Sequence, residues 1–141
     1  MTRILFATVV LILFSKPEIS FANTTLKLIC DVHTFKTRNQ YISKDLGHDL
    51  NLKPRFFQLE FNSSYQKLET DMIMVVDTTI IEFSDKDSIL ELTTAVDTMG
   101  SSYHFEVNRI TGRVKQWRVD SKDPNVLELY EYECRSAKRK F

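Results

Sequence analysis

The stretch YHFEVNRITGRVKQWRV, residues 103–119, decides the fold class. In its first half, Tyr103, Phe105 and Val107 alternate with polar residues, a period of two that is typical of a strand with one buried face. Its second half is rich in β-branched and aromatic residues. The short, turn-like Ile110-Thr111-Gly112 separates the halves, which predicts a β-hairpin.

The same alternation or composition recurs outward from this hairpin. It predicts further strands at 26–32, 57–61, 72–76, 79–83, 88–94 and 130–134. Short connections favour antiparallel neighbours, because a parallel pair needs a long crossover. The chain is therefore predicted to be all-β, an antiparallel meander of about eight strands that forms a small barrel or a sandwich.

Two segments depart from simple alternation. Apolar residues occupy both faces of 72–76 and 79–83, so this pair is either central and covered twice or exposes one face to a partner; we expect the central position. Within 38–54, Ile42, Leu46 and Leu50 are spaced by four residues, which is compatible with one short helix.

The first residues have the layout of a signal peptide. A basic start precedes an uncharged apolar run, 4–14, which is shorter than the roughly 20 residues of a membrane-spanning helix. Ser20-Phe21-Ala22 supplies the small residues of a cleavage site. We therefore expect a signal peptide at 1–22 and a single β-rich domain at 23–141 with a short basic C-terminal tail, in the periplasm or secreted.

The two cysteines, Cys30 and Cys134, lie on the apolar faces of the first and last predicted strands. An even pair in an exported chain is first interpreted as a disulfide. Their inward phase indicates that the two terminal strands are neighbours or face each other across the core. Two free buried thiols are the alternative.

Charge and motifs exclude several functions. The segment 23–141 carries 17 basic and 18 acidic residues, so no overall positive field favours nucleic acid. The histidines, His33, His48 and His104, lack the spacing of a metal site, so neither a metal nor another cofactor is expected. No glycine-flanked nucleophile is present, and the nearby Glu128, Glu131 and Glu133 are interpreted as a solvated face, so the chain is not expected to be an enzyme.

The last part of the chain resembles a known group of proteins. The residues that carry the resemblance are Asn108-Arg109-Ile110-Thr111-Gly112, Cys134 and the basic tail that ends in Phe141. Residues 101–141 together with Cys30 resemble uncharacterised small exported proteins of Gram-negative bacteria. These combine a signal peptide, an early cysteine, an Asn-Arg-x-Thr-Gly hairpin and a late cysteine. The resemblance implies a periplasmic or secreted location and brings no activity or catalytic residues.

Two functions remain. As a protein-interaction module of the cell envelope, the domain would use an outer face or a loop, with 38–54 and the basic tail as candidate contact segments. As a carrier, it would hold a small apolar ligand inside a barrel. The residues expected to line such a cavity are Phe57, Phe61, Tyr103, Phe105, Trp117, Tyr130 and Tyr132. Because a filled core needs the same aromatic residues, the interaction module ranks first.

Overall fold

The structure is a computed structural model that describes residues 23–37, the backbone of 41–43, and residues 52–123 and 128–137. The predicted signal peptide and the last four residues of the basic tail lie outside this part of the chain. Within it the chain forms nine strands. They are β1 (Thr24–Thr37), β2 (Tyr41–Ser43), β3 (Arg55–Phe61), β4 (Gln66–Thr70), β5 (Ile80–Lys86), β6 (Ile89–Thr94), β7 (Ser101–Asn108), β8 (Arg113–Asp120) and β9 (Glu128–Ser136).

The sheet has the order β4-β3-β1-β9-β8-β7-β6-β5, and β2 pairs with β1 beside this path. Every pair is antiparallel, and chain neighbours are mostly sheet neighbours. The edges β4 and β5 approach each other without a hydrogen-bonded ladder. The result is a nearly closed barrel, which confirms the predicted all-β class and the hairpin of β7 and β8.

The first and last long strands are joined as predicted. β1 pairs with β9 along most of its length, with an irregular register between Val32 and Thr34. Cys30 and Cys134 are direct partners in this ladder with Cα atoms 4.0 Å apart, and they form a disulfide. Cys30 is fully buried, which confirms its inward phase.

Three local predictions are wrong. Residues 72–76 are not a strand, because Met72 turns inward, Met74 has a left-handed φ of 64°, and Val76 is exposed. β5 is an edge strand, so the central position expected for 79–83 is wrong as well. The helix expected within 38–54 is wrong at 41–43, where the chain forms β2; Leu46 and Leu50 lie outside the described residues.

The barrel has two different ends. We call "turn end" the end that carries the connections 62–65, 87–88 and 109–112. We call "loop end" the opposite end, with the connections 71–79 and 95–100 and the described residues 121–123. The apolar core lies between them and is built from inward residues of seven strands and from Met72.

Candidate functional site

The aromatic residues predicted to line a ligand cavity mostly face the interior. Phe57 and Phe105 are fully buried, and their ring centroids are 5.7 Å apart. Tyr130 and Tyr132 are neighbours at 6.4 Å, and Tyr103 and Phe61 are also buried. These six rings therefore serve as packing of the core, which is the other role that the sequence allows for them.

Trp117 is the exception among the seven residues. Its ladder partner is His104, whose ring centroid lies 5.4 Å away, and the ammonium of Lys115 lies 6.0 Å from the indole ring. Because its neighbours Gln116 and Arg118 make interior contacts, Trp117 is on the outer face of β8. A ligand inside the barrel would not touch it.

Gln116, the neighbour of Trp117 in β8, faces the interior instead. It is fully buried; its Oε1 accepts a hydrogen bond from the Tyr132 hydroxyl at 2.6 Å, and its Nε2 donates to the Ile73 carbonyl at 2.7 Å. Burial raises the pKa of Tyr132 well above its ordinary value, so the phenol remains a donor. These bonds attach the 71–79 connection to the barrel wall.

Arg118 forms an ionic cluster two residues further toward the loop end. Its guanidinium contacts a Glu128 carboxylate oxygen at 3.0 Å and an Asp120 oxygen at 3.5 Å, and its Nε donates to the Ser101 hydroxyl at 3.0 Å. All three charged side chains are mostly shielded from solvent. The cluster joins the end of β8 to the starts of β7 and β9 and fixes the loop end.

The turn end is closed in part by the segment from Asn108 to Gly112, which carries the resemblance described above. Asn108 Oδ1 accepts hydrogen bonds from the backbone N–H groups of Ile110 and Thr111, both at 3.0 Å. Gly112 has a φ of 73°, and its carbonyl accepts from the Cys134 N–H at 2.9 Å. A Cβ at Gly112 would lie 2.6 Å from the Cys134 carbonyl oxygen, so the turn requires glycine in this position.

Two surface cavities flank Arg109 at the turn end. One, of about 290 Å³, has Leu26, Leu28 and Val107 among its lining residues, together with Arg109. The other, of about 420 Å³, lies against Phe61 and Asp85. The Arg109 guanidinium stands 5.2 Å from the Phe61 ring centroid and 3.6 Å from an Asp85 oxygen, so it contacts the walls of both cavities.

Exposed apolar side chains are concentrated at the loop end. Of the nine large hydrophobic residues exposed in the described part, only Tyr65 and Ile110 belong to the turn end. We call the other seven the apolar rim. They are Phe56, Met74, Val76, Ile81, Val96, Met99 and Val119. Sequence patterning missed this rim, because residues such as Val96 and Met99 stand singly between small or polar neighbours.

The segments that carry the apolar rim are linked to each other. The Phe56 N–H donates to an Asp71 carboxylate oxygen at 2.7 Å, which joins the start of β3 to the 71–79 connection. The Ala95 N–H donates to the Thr79 carbonyl at 2.8 Å, and the Ser121 N–H donates to the Gly100 carbonyl at 2.8 Å. The rim therefore follows one continuous arc of backbone.

Aspartates hold each loop-end connection in place. Asp77 Oδ1 accepts from the Thr79 N–H at 2.9 Å, and Asp97 Oδ1 accepts from the N–H groups of Met99 and Ser101 at 2.9 and 3.0 Å. The backbone hydrogen bond from Thr79 lowers the pKa of Asp77 below its ordinary value. Such local bonds fix the turns.

The described residues contain no group of three or more histidine, cysteine or acidic side chains placed to hold a metal ion. His33 lies 3.9 Å from a Glu133 oxygen, and His104 bonds the Thr93 hydroxyl at 3.0 Å. Glu131 lies 3.7 Å from the Lys36 ammonium. These histidine and glutamate side chains, for which the sequence predicts no site, thus form separate pairs; His48 lies outside the described residues.

Comparisons with models of protein families, with curated proteins and with solved structures give no match. In the described part of the chain, no helix has the length and apolar character needed to span a membrane.

Proposed function

We propose that the chain is an exported, non-catalytic protein-interaction module of the cell envelope that docks through the apolar rim. The observation that carries this proposal is the placement of seven of the nine exposed large hydrophobic residues at one end of the barrel. Large exposed apolar patches are uncommon on monomers and mark contact surfaces. The opposite end of the same barrel has no comparable group of side chains among its described residues.

A rigid support favours this function. The loop end is fixed by the buried Gln116, by the Arg118 cluster and by aspartates that accept backbone hydrogen bonds. A contact surface that is ordered before binding loses less conformational entropy when the complex forms. The rim is thus suited to bind a partner without rearrangement of its connections.

The disulfide and the signal pattern support export. A disulfide such as Cys30–Cys134 persists in oxidising compartments, and the residue pattern of 1–22 is typical of a secretory signal. The resemblance of residues 101–141 to small exported proteins points to the same location. We therefore place the module in the periplasm or outside the cell.

Site-specific photocrosslinking in the source cell tests the docking surface. A photoreactive residue at Val76 or Met99 should give a covalent adduct with another protein. The matched control is Ile110, which is 81% exposed against 75% for Met99 but lies at the turn end. Adducts that form equally well at Ile110, or that form nowhere on the rim, would contradict the proposal.

A carrier is the second candidate, and the cavities at the turn end favour it. Leu26, Leu28 and Val107 give the 290 Å³ cavity an apolar wall that a small ligand would contact. Native mass spectrometry of protein purified gently from its own compartment separates the two functions. A stoichiometric small-molecule adduct would favour the carrier, whereas the interaction module predicts a chain without one.

A further inference from the structure

The charge of the loop end differs from that of the turn end. The loop-end connections 71–79 and 95–100, which carry four of the seven rim residues, contain Asp71, Asp77 and Asp97 and no basic residue. Elsewhere among the described residues of this end, Asp123 stands next to Lys122, and the basic Lys53 and Arg55 lie just before and at the start of β3. The three turns at the other end carry one acidic residue, Asp87, and one basic residue, Arg109. The two connections that carry Met74, Val76, Val96 and Met99 are thus acidic.

The acidic residues stand beside the apolar ones in sequence, and their carboxylates bond the backbone that carries them. Asp77 follows Val76, and Asp97 lies between Val96 and Met99 in a connection whose backbone it fixes. Asp71 is bonded to the backbone N–H of Phe56, another rim residue. A partner that covers the apolar rim would therefore also cover or approach these carboxylates.

Burial of a carboxylate without a compensating charge is costly, and a like charge opposite it is repulsive. A neutral apolar partner would leave the rim carboxylates partly desolvated, and an acidic partner would be repelled. The same repulsion disfavours nucleic acid and an anionic lipid surface. A segment that carries both cationic and apolar side chains satisfies both features of the rim.

We infer that the partner of the loop end is a polypeptide surface or segment rich in lysine or arginine and in apolar residues. This inference rests on the proposed function of the rim and adds the chemistry of its partner. The flexible thioethers of Met74 and Met99 suit contact with apolar side chains of different shapes. The carboxylates select among such partners and accelerate their encounter with the rim.

Three short synthetic peptides test the inference on the protein as purified from its own compartment. One alternates lysine and leucine, the second alternates glutamate and leucine, and the third alternates lysine and serine. Fluorescence anisotropy of labelled peptides measures the affinity at low and high salt. The lysine-leucine peptide should bind most tightly, and its affinity should fall as salt screens the carboxylates.

Matched variants locate the contact. Asp71→Asn with Asp77→Asn and Asp97→Asn removes three charges but keeps the Oδ1 acceptors that hold the connections. This variant should bind the lysine-leucine peptide about tenfold more weakly at low salt. Val76→Ser with Met99→Ser should weaken binding as well, whereas Ile110→Ser at the turn end should leave it unchanged.

The outcomes separate this inference from the proposed function. If the glutamate-leucine peptide binds equally well, or the asparagine variant keeps full affinity, the inferred basic partner is wrong while crosslinks at Val76 and Met99 still support the rim. If the lysine-leucine peptide binds more weakly than about 1 mM, the inference is also wrong. If only Ile110→Ser weakens binding, the docking surface itself is misplaced and the proposed function fails.

Discussion

The turn end and the loop end close the same barrel with connections of different length and surface. At the turn end, short connections are held by side-chain acceptors such as Asn108, and Gly112 packs so closely against the Cys134 carbonyl that no side chain fits. At the loop end, longer connections are held by side chains, among them Gln116 and Asp97, and they expose apolar residues. The docking surface proposed above therefore lies at the end that has the longer connections and most of the exposed apolar residues of the described chain.

Removal of the disulfide should have the largest effect on stability. Cys30→Ala with Cys134→Ala opens a covalent loop whose ends are 104 residues apart in sequence, so the unfolded chain gains conformational freedom. We expect the free energy of unfolding to fall by about 2 to 5 kcal/mol, measured by urea denaturation. A change below about 0.5 kcal/mol, the level of an ordinary surface substitution, would show that the β1–β9 ladder suffices alone.

The next largest effect should come from Gln116→Leu. This change leaves the Tyr132 hydroxyl and the Ile73 carbonyl without their hydrogen bonds, and we expect a loss of about 2 to 3 kcal/mol. Amide hydrogen exchange should quicken in 71–79 more than in the 109–112 turn. Addition of Tyr132→Phe should recover part of the loss, and no recovery would mean that the hydroxyl is satisfied in another way.

Two glycine substitutions compare the ends directly. Gly112→Ala forces a Cβ to within 2.6 Å of a backbone oxygen, whereas at Gly100 the nearest atom is the Ser121 hydroxyl at 3.0 Å, on a side chain that is free to rotate. Both glycines have positive φ, so each change costs about 1 kcal/mol from backbone strain.

The clash should add to this cost at Gly112 alone, and thermal unfolding of the two variants measures the difference. Equal costs would mean that the turn end relaxes as easily as the loop end. Such a result would remove the mechanical contrast between the two ends of the barrel.

Period-two alternation predicted most of the fold, because a strand with one wet face must show it. The alternation failed as a guide in segments whose apolar residues do not divide between one buried and one exposed face of a strand. Strand β4 reads QKLET, in which only Leu68 is apolar and buried, so its pattern resembles a loop. Residues 72–76 are apolar like a strand, but they divide between the core and the exposed rim.

The interior of β8 shows why the candidate site was harder to predict. Trp117 is the large residue that a core would ordinarily take, yet Gln116 and Arg118 occupy the interior phase. Burial of these polar residues is stable only because Tyr132 and Glu128 approach from the neighbouring strand. Such partners are distant in sequence, and pairing across the sheet is not visible in the pattern of one strand.

The smallest expected effect is a pH dependence confined to the loop end. Backbone hydrogen bonds from Thr79 and from Lys122 lower the pKa values of Asp77 and Asp120, respectively, below their unfolded value of about 3.9. A lowered folded pKa contributes stability that is present above the unfolded pKa and is lost as the pH falls through the folded value. The loop-end connections should therefore loosen in acid while the turn at 109–112 stays fixed.

Carboxyl ¹³C NMR titration checks this order of events. The Asp77 and Asp120 resonances should titrate below the ordinary aspartate range, and the Thr79 amide shift should follow the titration of Asp77. In Asp77→Asn the turn keeps its acceptor but has no proton to bind, so the Thr79 amide shift should become independent of pH. If that shift still moves with acid in the variant, the loosening starts elsewhere and the aspartates do not hold the rim.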